Sequence, residues 1–386
     1  MSDHRFDILS SIDFYIRPLL FRVLFVDKLG ISWDKFAADS VSSSCGQVNG
    51  DRFKLTIPYA THNVTWNVLF DSHCPEMGPD FEFNDNSFLA DMDVDTLSTK
   101  VPGLAKWNPK DEDALVHVLL QLIACYKEHQ IQLLPDRSRL SAEYDMLMKS
   151  EIVAPEDFEM ILLPSSHKPT EARFLIGLSV DISGLDCGAK RNEAMLVISY
   201  TGTDWARITP KIHFSKFLEE AFSGKDTFYL PPFSSEKCLM DYVQDIRKRL
   251  QNNLKDILVA ERLAKRRDYI STMISFIGWS RLEYDAEKYT YMTFLLLEDD
   301  FSVIFIINIP LDFPKEKPKA LFQSVYHMIS QNEPYSEELE RYPYSPSWPT
   351  FKMCEKLCQF VRENIKKFKK KSIEKCTQKY PPPSMF

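Results

Sequence analysis

The stretch Phe313-Pro314-Lys315-Glu316-Lys317-Pro318-Lys319-Ala320-Leu321-Phe322-Gln323-Ser324-Val325-Tyr326-His327 decides the reading of this chain. It follows a run rich in β-branched and aromatic residues, Phe305-Ile306-Ile307-Asn308-Ile309, which has strand composition. Its two prolines cannot donate to a sheet ladder, so they are expected to mark where the chain leaves the sheet and crosses it in an extended loop.

Working outward, the pattern Pro-x-x-x-Phe after a strand-like block occurs three times: Pro79 to Phe83, Pro210 to Phe214 and Pro318 to Phe322. The first and third copies agree further. Trp66-Asn67-Val68-Leu69-Phe70, then Cys74-Pro75, then Pro79 aligns without a gap on Phe305 to Ile309, then Phe313-Pro314, then Pro318. Two prolines, an aromatic residue and a β-rich run in register indicate an internal repeat.

Short β-branched and aromatic segments at 53–57, 65–70, 174–180, 195–200, 291–297 and 302–307 read as antiparallel meander strands. Amphipathic helices are expected after each block, at 113–126, 236–258 and 351–368, and before each, at 7–26, 139–149 and 261–277. The fold class is therefore α+β: helix, meander, proline crossing, helix. The expected modules are 1–135, a more degenerate 136–258, and 259–371, followed by a basic, proline-rich tail at 372–386.

Composition bounds the function. The 386 residues are 44% hydrophobic and 26% charged, ordinary values for a globular protein of two or three domains. A net charge of -8 gives no global basis for nucleic-acid binding. The apolar run from Phe14 to Val26 is interrupted by Arg17, Pro18 and Arg22, too short for a membrane span and unlike a secretory signal, so it reads as a buried first helix. The eight cysteines form no CxxC pair, and no histidine stands at ligand spacing from Cys354 and Cys358. They read as reduced thiols of a cytoplasmic or nuclear protein. No GxSxG, glycine-rich phosphate loop or GxGxxG is present, and no cofactor is expected.

The unit resembles the ubiquitin-conjugating-enzyme fold and its catalytically inactive relatives, the UEV and RWD domains. The third copy is similar to that family's "YPxxPPxxxFxTxIYHPN" stretch through Pro314, Pro318, Phe322, Tyr326 and His327. The likeness extends, as fold-supporting positions, to Pro75, Pro79 and Phe83 in the first copy and Pro210 and Phe214 in the second. The sequence departs from the family where catalysis requires it. Met328 and Ile329 replace the Pro-Asn whose amide stabilises the oxyanion, and Glu337 falls where the nucleophilic cysteine belongs. His327 then reads as a structural hydrogen-bonding residue and Cys74 as a small buried hydrophobe.

DRFKLTIPYA (51–60), WNP (107–109), RRDYI (266–270), EYDAE (283–287), FQSVYH (322–327) and YPYSP (342–346) are similar to strings of the BRE family. That resemblance implies a non-catalytic scaffold subunit of two deubiquitinating assemblies, the cytoplasmic BRISC complex and a nuclear DNA-damage complex containing the breast-cancer susceptibility protein. Both cleave polyubiquitin linked through ubiquitin's sixty-third lysine. The implied partners are a JAMM-type zinc deubiquitinase, an Abraxas-type MPN scaffold, a von Willebrand A-like subunit and, in BRISC, serine hydroxymethyltransferase, with polyubiquitin as a further contact. The eight histidines contain no His-x-His pair, so the metalloprotease itself is expected to be another chain. Two other readings stand beside this one: an inactive variant that assists a conjugating enzyme, and an enzyme forming a thioester on Cys354 or Cys358.

Two terminal features are candidate docking elements. Residues 352–375 carry nine Lys or Arg against three Glu, ending in Lys366, Lys367, Lys369, Lys370 and Lys371. They form either a solvated helix end favoured by the helix dipole or a surface for an acidic partner. Conversely, residues 71–113 carry eleven Asp or Glu against three Lys and read as solvated loop or a face for a basic partner. Tyr380-Pro381-Pro382-Pro383 opens a polyproline end that either docks in a groove or stays a free tail.

Overall fold

A computed structural model describes residues 2–26, 30–44, 46, 49–71, 73–90, 92–134, 138–164, 169–180, 194–202, 204–222, 228–234, 237–330 and 333–379. The chain divides into two compact units, Met1–Asn253 and Leu254–Phe386. It is α+β, with antiparallel sheets and helices.

The first unit begins with α1 (Ser2–Ser11) and α2 (Arg17–Phe25), then β1 (Ala37–Ser42), β2 (Arg52–Tyr59), β3 (His62–Leu69) and β4 (Asp80–Phe83). α3 (Val94–Lys100), α4 (Pro102–Ala105), α5 (Ala114–Gln132) and α6 (Ser138–Lys149) follow. The second sheet comprises β5 (Phe158–Leu163), β6 (Glu171–Leu178), β7 (Ala194–Thr201) and β8 (Arg207–Phe214), and α7 (Lys216–Phe222) comes after it. The single helix expected over 7–26 is two. Residues 11–13 leave the helical pattern to pair with Gly50, whose N–H donates to the Ser11 carbonyl at 2.8 Å while its own carbonyl accepts from Asp13 at 2.9 Å. Gly50 is required there: a Cβ would lie 2.3 Å from Val41 Cγ1 and 2.7 Å from the Ser42 carbonyl oxygen. Pro18 then sits in the first turn of α2, where its missing N–H costs nothing.

In the first sheet, β2 alternates strictly. Phe53, Leu55, Ile57 and Tyr59 are buried, while Arg52, Lys54 and Thr56 turn outward. The second sheet is different: Phe158 to Leu162 of β5 and Ala194 to Ile198 of β7 are buried on both faces. Its outer residues Ile161, Leu175, Met195 and Val197 enter the same core as Leu115, Leu119 and Leu122 of α5. Glu159 of β5, also buried, accepts from the Ile31 and Ala60 amides at 2.9 Å each, and Gln130 of α5 accepts from the Leu162 amide at 3.0 Å. The first module thus covers the back of the second sheet.

α8 (Leu239–Ile277) spans the boundary between the units. Residues 236–258 and 261–277, expected as helices of separate modules, are one continuous element from Leu239, because Val259-Ala260-Glu261 contains neither proline nor glycine to stop propagation. The expected boundary at 258/259 therefore lies inside a helix; that at 135/136 lies outside the described residues.

The second unit continues with β9 (Arg281–Tyr284), β10 (Tyr291–Glu298), β11 (Phe301–Asn308), β12 (Lys319–Ser330), β13 (Glu333–Glu338) and α9 (Thr350–Lys379). Its sheet has the order β13-β12-β11-β10-β9. One face carries Met292, Phe294, Val303, Phe305, Ile307, Ala320 and Phe322 into a core with Met353, Leu357, Val361, Ile365 and Phe368 of α9. Each of the large side chains among them contributes about 1.5–3 kcal/mol on burial. α9 runs past the expected end at residue 368. Residues 372–379, expected as tail, are its last turns, and Ser372 is wholly buried.

Each sheet is a meander in which Pro-x-x-x-Phe falls on the fourth strand: Pro79 just before β4, Pro318 just before β12, and Pro210 within β8. Registers in the first and third sheets coincide, with Trp66 opposite Phe83 and Leu69 opposite Asp80, and Phe305 opposite Phe322 and Asn308 opposite Lys319. In the first and third sheets the paired prolines thus lie where the chain has left the sheet, but it returns beside the strand it left and does not cross the sheet. Pro210 is tolerated inside β8 because β8 is an edge, with a ladder partner on one side only.

Candidate docking surfaces

The signature loop from Phe313 to Pro318 is clasped by residues 340–344. The Tyr342 hydroxyl donates to the Pro318 carbonyl and the Tyr344 hydroxyl to that of Pro314. Lys317 Nζ donates to the carbonyls of Glu340 at 2.7 Å and Tyr342 at 2.8 Å, and lies 3.7 Å from the Tyr342 ring centroid. Burial lowers the Lys317 pKa. The RRDYI and EYDAE strings serve neighbouring loops: Arg266 donates to the Lys288 and Leu311 carbonyls at 2.9 Å each, and Asp285 accepts from the Glu287 amide at 3.0 Å.

Phe322 is fully buried. His327 Nδ1 lies 2.6 Å from Ser372 Oγ of α9, and its backbone N–H donates to Ser324 Oγ at 3.1 Å. Tyr326 departs from the expectation of a fold-supporting residue, because its side chain is 56% exposed. The β12–β13 register shifts between Gln323 and Met328, so Val325 and Tyr326 both face outward. In the first copy Pro79 is buried, and Phe83 packs 5.2 Å from Trp66 and 4.7 Å from Phe88, while Pro75 is half-buried in the loop before it. In the second, Phe214 packs 5.2 Å from Phe222 and 5.7 Å from Phe228.

Glu337, at the nucleophile's place in the conjugating-enzyme pattern, lies on β13 and pairs with Lys371 at 2.5 Å. It lines a hollow of about 400 Å³ with Glu338, Arg341, Asn364 and Lys367. A carboxylate there cannot carry a thioester. Cys354 and Cys358 are buried in α9, facing Tyr269 and Met273. Burial pushes the Cys354 thiol far up and that of Cys358 up to about 11. Desolvation likewise raises Cys74, Cys125 and Cys238. Cys45, Cys187 and the Cys376 side chain lie outside the described residues. Among the described residues no cluster of three His, Cys, Asp or Glu stands ready for a metal, and no helix is long and apolar enough to cross a membrane.

The basic stretch of α9 is largely paired within its own unit. Lys366 meets Glu298 at 3.2 Å, Lys369 meets Asp300, and Lys371 meets Glu337. Among the described residues Lys367 reaches Asn364 Oδ1, at 3.4 Å, and Lys370 is exposed. The β10–β11 hairpin and β13 thus neutralise much of the charge that the sequence presents as free. Pro381, Pro382 and Pro383 lie outside the described residues.

Sequence reasoning missed a groove of about 720 Å³ lined by Phe6, Phe14, Tyr15, Pro18, Phe21 and Pro109. The run from Phe14 to Val26 buries Leu19, Leu20, Val23 and Leu24, but Phe14 is 80% exposed. The available signal is the helical period of those four residues, which leaves Phe21 off the buried stripe.

The fold and the described residues define an α+β protein of antiparallel meander sheets and helices, in which burial raises the pKa of every described thiol and Glu337 is paired with Lys371. The chain belongs to the family of the Brain and reproductive organ-expressed protein (BRE), whose model matches residues 10–328. It is 31% identical over 378 residues to "BRISC and BRCA1-A complex member 2" of Danio rerio, covering 93% of this chain and 95% of that one. It is 32% identical over 381 residues to the protein of the same name in Branchiostoma floridae, covering 95% and 97%.

Proposed function

We propose that this chain is a non-catalytic scaffold subunit of a deubiquitinase assembly of the BRISC and BRCA1-A type, acting on polyubiquitin linked through ubiquitin's sixty-third lysine. Full-length likeness to proteins named as members of those complexes supports membership. The observation that carries the non-catalytic reading is Glu337 paired with Lys371 at the nucleophile's place, while burial raises every described thiol. In this reading the three meanders are UEV/RWD-like modules. They bridge a JAMM-type zinc deubiquitinase and an Abraxas-type MPN scaffold to a von Willebrand A-like subunit and, in the cytoplasm, to serine hydroxymethyltransferase. The N-terminal aromatic groove and the open lysines Lys367 and Lys370 are surfaces available for such contacts.

The test is affinity purification of the tagged chain, with cleavage assays on ubiquitin chains of defined linkage. Expected is co-purification of a zinc metalloprotease whose cleavage prefers the sixty-third-lysine linkage, is lost to a zinc chelator, and survives replacement of every cysteine in this chain. Recovery of an active conjugating enzyme in its place, or loss of activity on replacing a single cysteine, would overturn the reading.

A further inference from the structure

The three sheets differ in their outer faces, and the difference identifies a surface. An antiparallel sheet with one solvated side alternates apolar-in and polar-out. The first sheet does so, with Arg52, Lys54, Thr56, Thr65 and Asn67 outward. The second buries both faces of β5 and β7, and its outer face, with Ile161, Leu175, Met195 and Val197 beside Glu159 and Arg173, packs into the core that holds α5.

The third sheet also sets apolar residues on its outer face, beside Thr293, Ser302, Asn308 and Gln323, and part of that face is exposed. Cross-strand registers place Leu295 opposite Ile304, and Thr293, Ile306 and Leu321 in one row, all on the face opposite α9. Leu295 and Tyr291 are each 39% exposed, Leu297 72% and Val325 43%. Ile304, Ile306 and Leu321 are half-buried. A contiguous apolar surface of this kind marks an interaction site. The row of Ile306 and Leu321 ends at both sheet edges in an acid: Glu283 stands opposite Thr293 on β9, and Glu338 opposite Leu321 on β13. Both are exposed, and neither has an ion-pair partner among the described residues. Lys319, opposite Asn308, is a cation on this face, and Arg281 stands at the β9 edge opposite Phe294, with its guanidinium over the Tyr284 ring.

We infer that the outer face of the third sheet docks an amphipathic α-helix of a partner protein. The helix sets an apolar stripe over Leu295, Ile304, Ile306 and Leu321 and basic side chains against Glu283 and Glu338. The occupant's chemistry follows in part from the second sheet, where α5 sets Leu115, Leu119 and Leu122 into the core over the equivalent face. It is also fixed by charge complementarity, since the rim of this face is acidic. The inference stands independently of which assembly the chain joins.

The test uses the full chain and two synthetic amphipathic helical peptides, one of leucine and lysine, the other of leucine and glutamate, in about 0.15 M salt. The leucine–lysine peptide is expected to bind at least tenfold more tightly and to slow amide exchange in β10, β11 and β12. Glu283→Lys with Glu338→Lys is expected to reverse the preference while leaving the melting temperature unchanged, because both side chains are exposed. Leu295→Asp is expected to weaken binding tenfold or more, with exchange in the inner core unaltered. Equal binding of the two peptides, protection elsewhere, or a preference that survives the double charge reversal would overturn the proposal. So would concentration-dependent dimerisation of the free chain abolished by Leu295→Asp, which assigns the face to a second copy.

Discussion

The Tyr342 hydroxyl donates its hydrogen bond to the carbonyl oxygen of Pro318, joining two strings 24 residues apart in the chain. Pro318 is buried and starts the approach to β12, so its carbonyl has no water to turn to. Replacing Tyr342 by Phe keeps the ring and its contact with Lys317 but strands that acceptor. The expected cost is about 1–3 kcal/mol, read from urea unfolding, with faster amide exchange at the start of β12. No change in either would show that the clasp is incidental.

Phe322 and Tyr326 belong to one motif but differ in burial, and their alanine variants should differ accordingly. Phe322→Ala removes a fully buried ring packed 5.3 Å from Phe368 and 5.7 Å from Phe305. A loss of about 3–5 kcal/mol is expected, against about 0.5 kcal/mol or less for Tyr326→Ala. Comparable losses at both positions, measured by chemical denaturation, would contradict the outward placement of Tyr326.

The buried thiols make a labelling prediction. Cys354 and Cys358 should resist alkylation in the native chain near pH 8 and react fully in urea, with mass spectrometry as the readout. A reactive thiol is a thiolate, and burial disfavours that form at both positions. Rapid native labelling of Cys354 would revive the thioester reading.

His129 sets a pH dependence in the first unit. Burial lowers its pKa, with Asp85 at 3.7 Å opposing the shift in part. The folded state thus favours the neutral ring more than the unfolded chain does. Its stabilising contribution is complete above the unfolded value of roughly 6.5 and is lost as pH falls through the lower folded value. Urea unfolding at pH 7.5 and 5.5 should show stability falling on acidification, and falling less in His129→Gln. An identical pH response in the variant would remove His129 as a source.

Local pattern was legible because it depends on neighbours in sequence. β-branched runs located β2, β3, β6, β7, β10 and β11, and Pro-x-x-x-Phe marked the repeat at Pro79, Pro210 and Pro318. The edge strands β1, β4, β5, β8, β9 and β13 and the inner strand β12 were not read as strands; Asp80–Phe83 and Glu333–Glu338 carry charge and proline suited to an edge. Helix ends were read short at α5 and α9 because polar helix formers extend both beyond the apolar stripe.

The sequence by itself determined the α+β class and the family, both of which rest on which residue stands at which position. Tertiary structure decided what is free to act. Lys369 and Lys371 are identical in sequence terms to Lys370, yet long-range pairing with Asp300 and Glu337 occupies the first two. The apolar outer faces of the second and third sheets are likewise indistinguishable by composition. One is buried against α5 and the other is partly exposed, because burial depends on which distant segment packs there, and no period or motif along the chain encodes that.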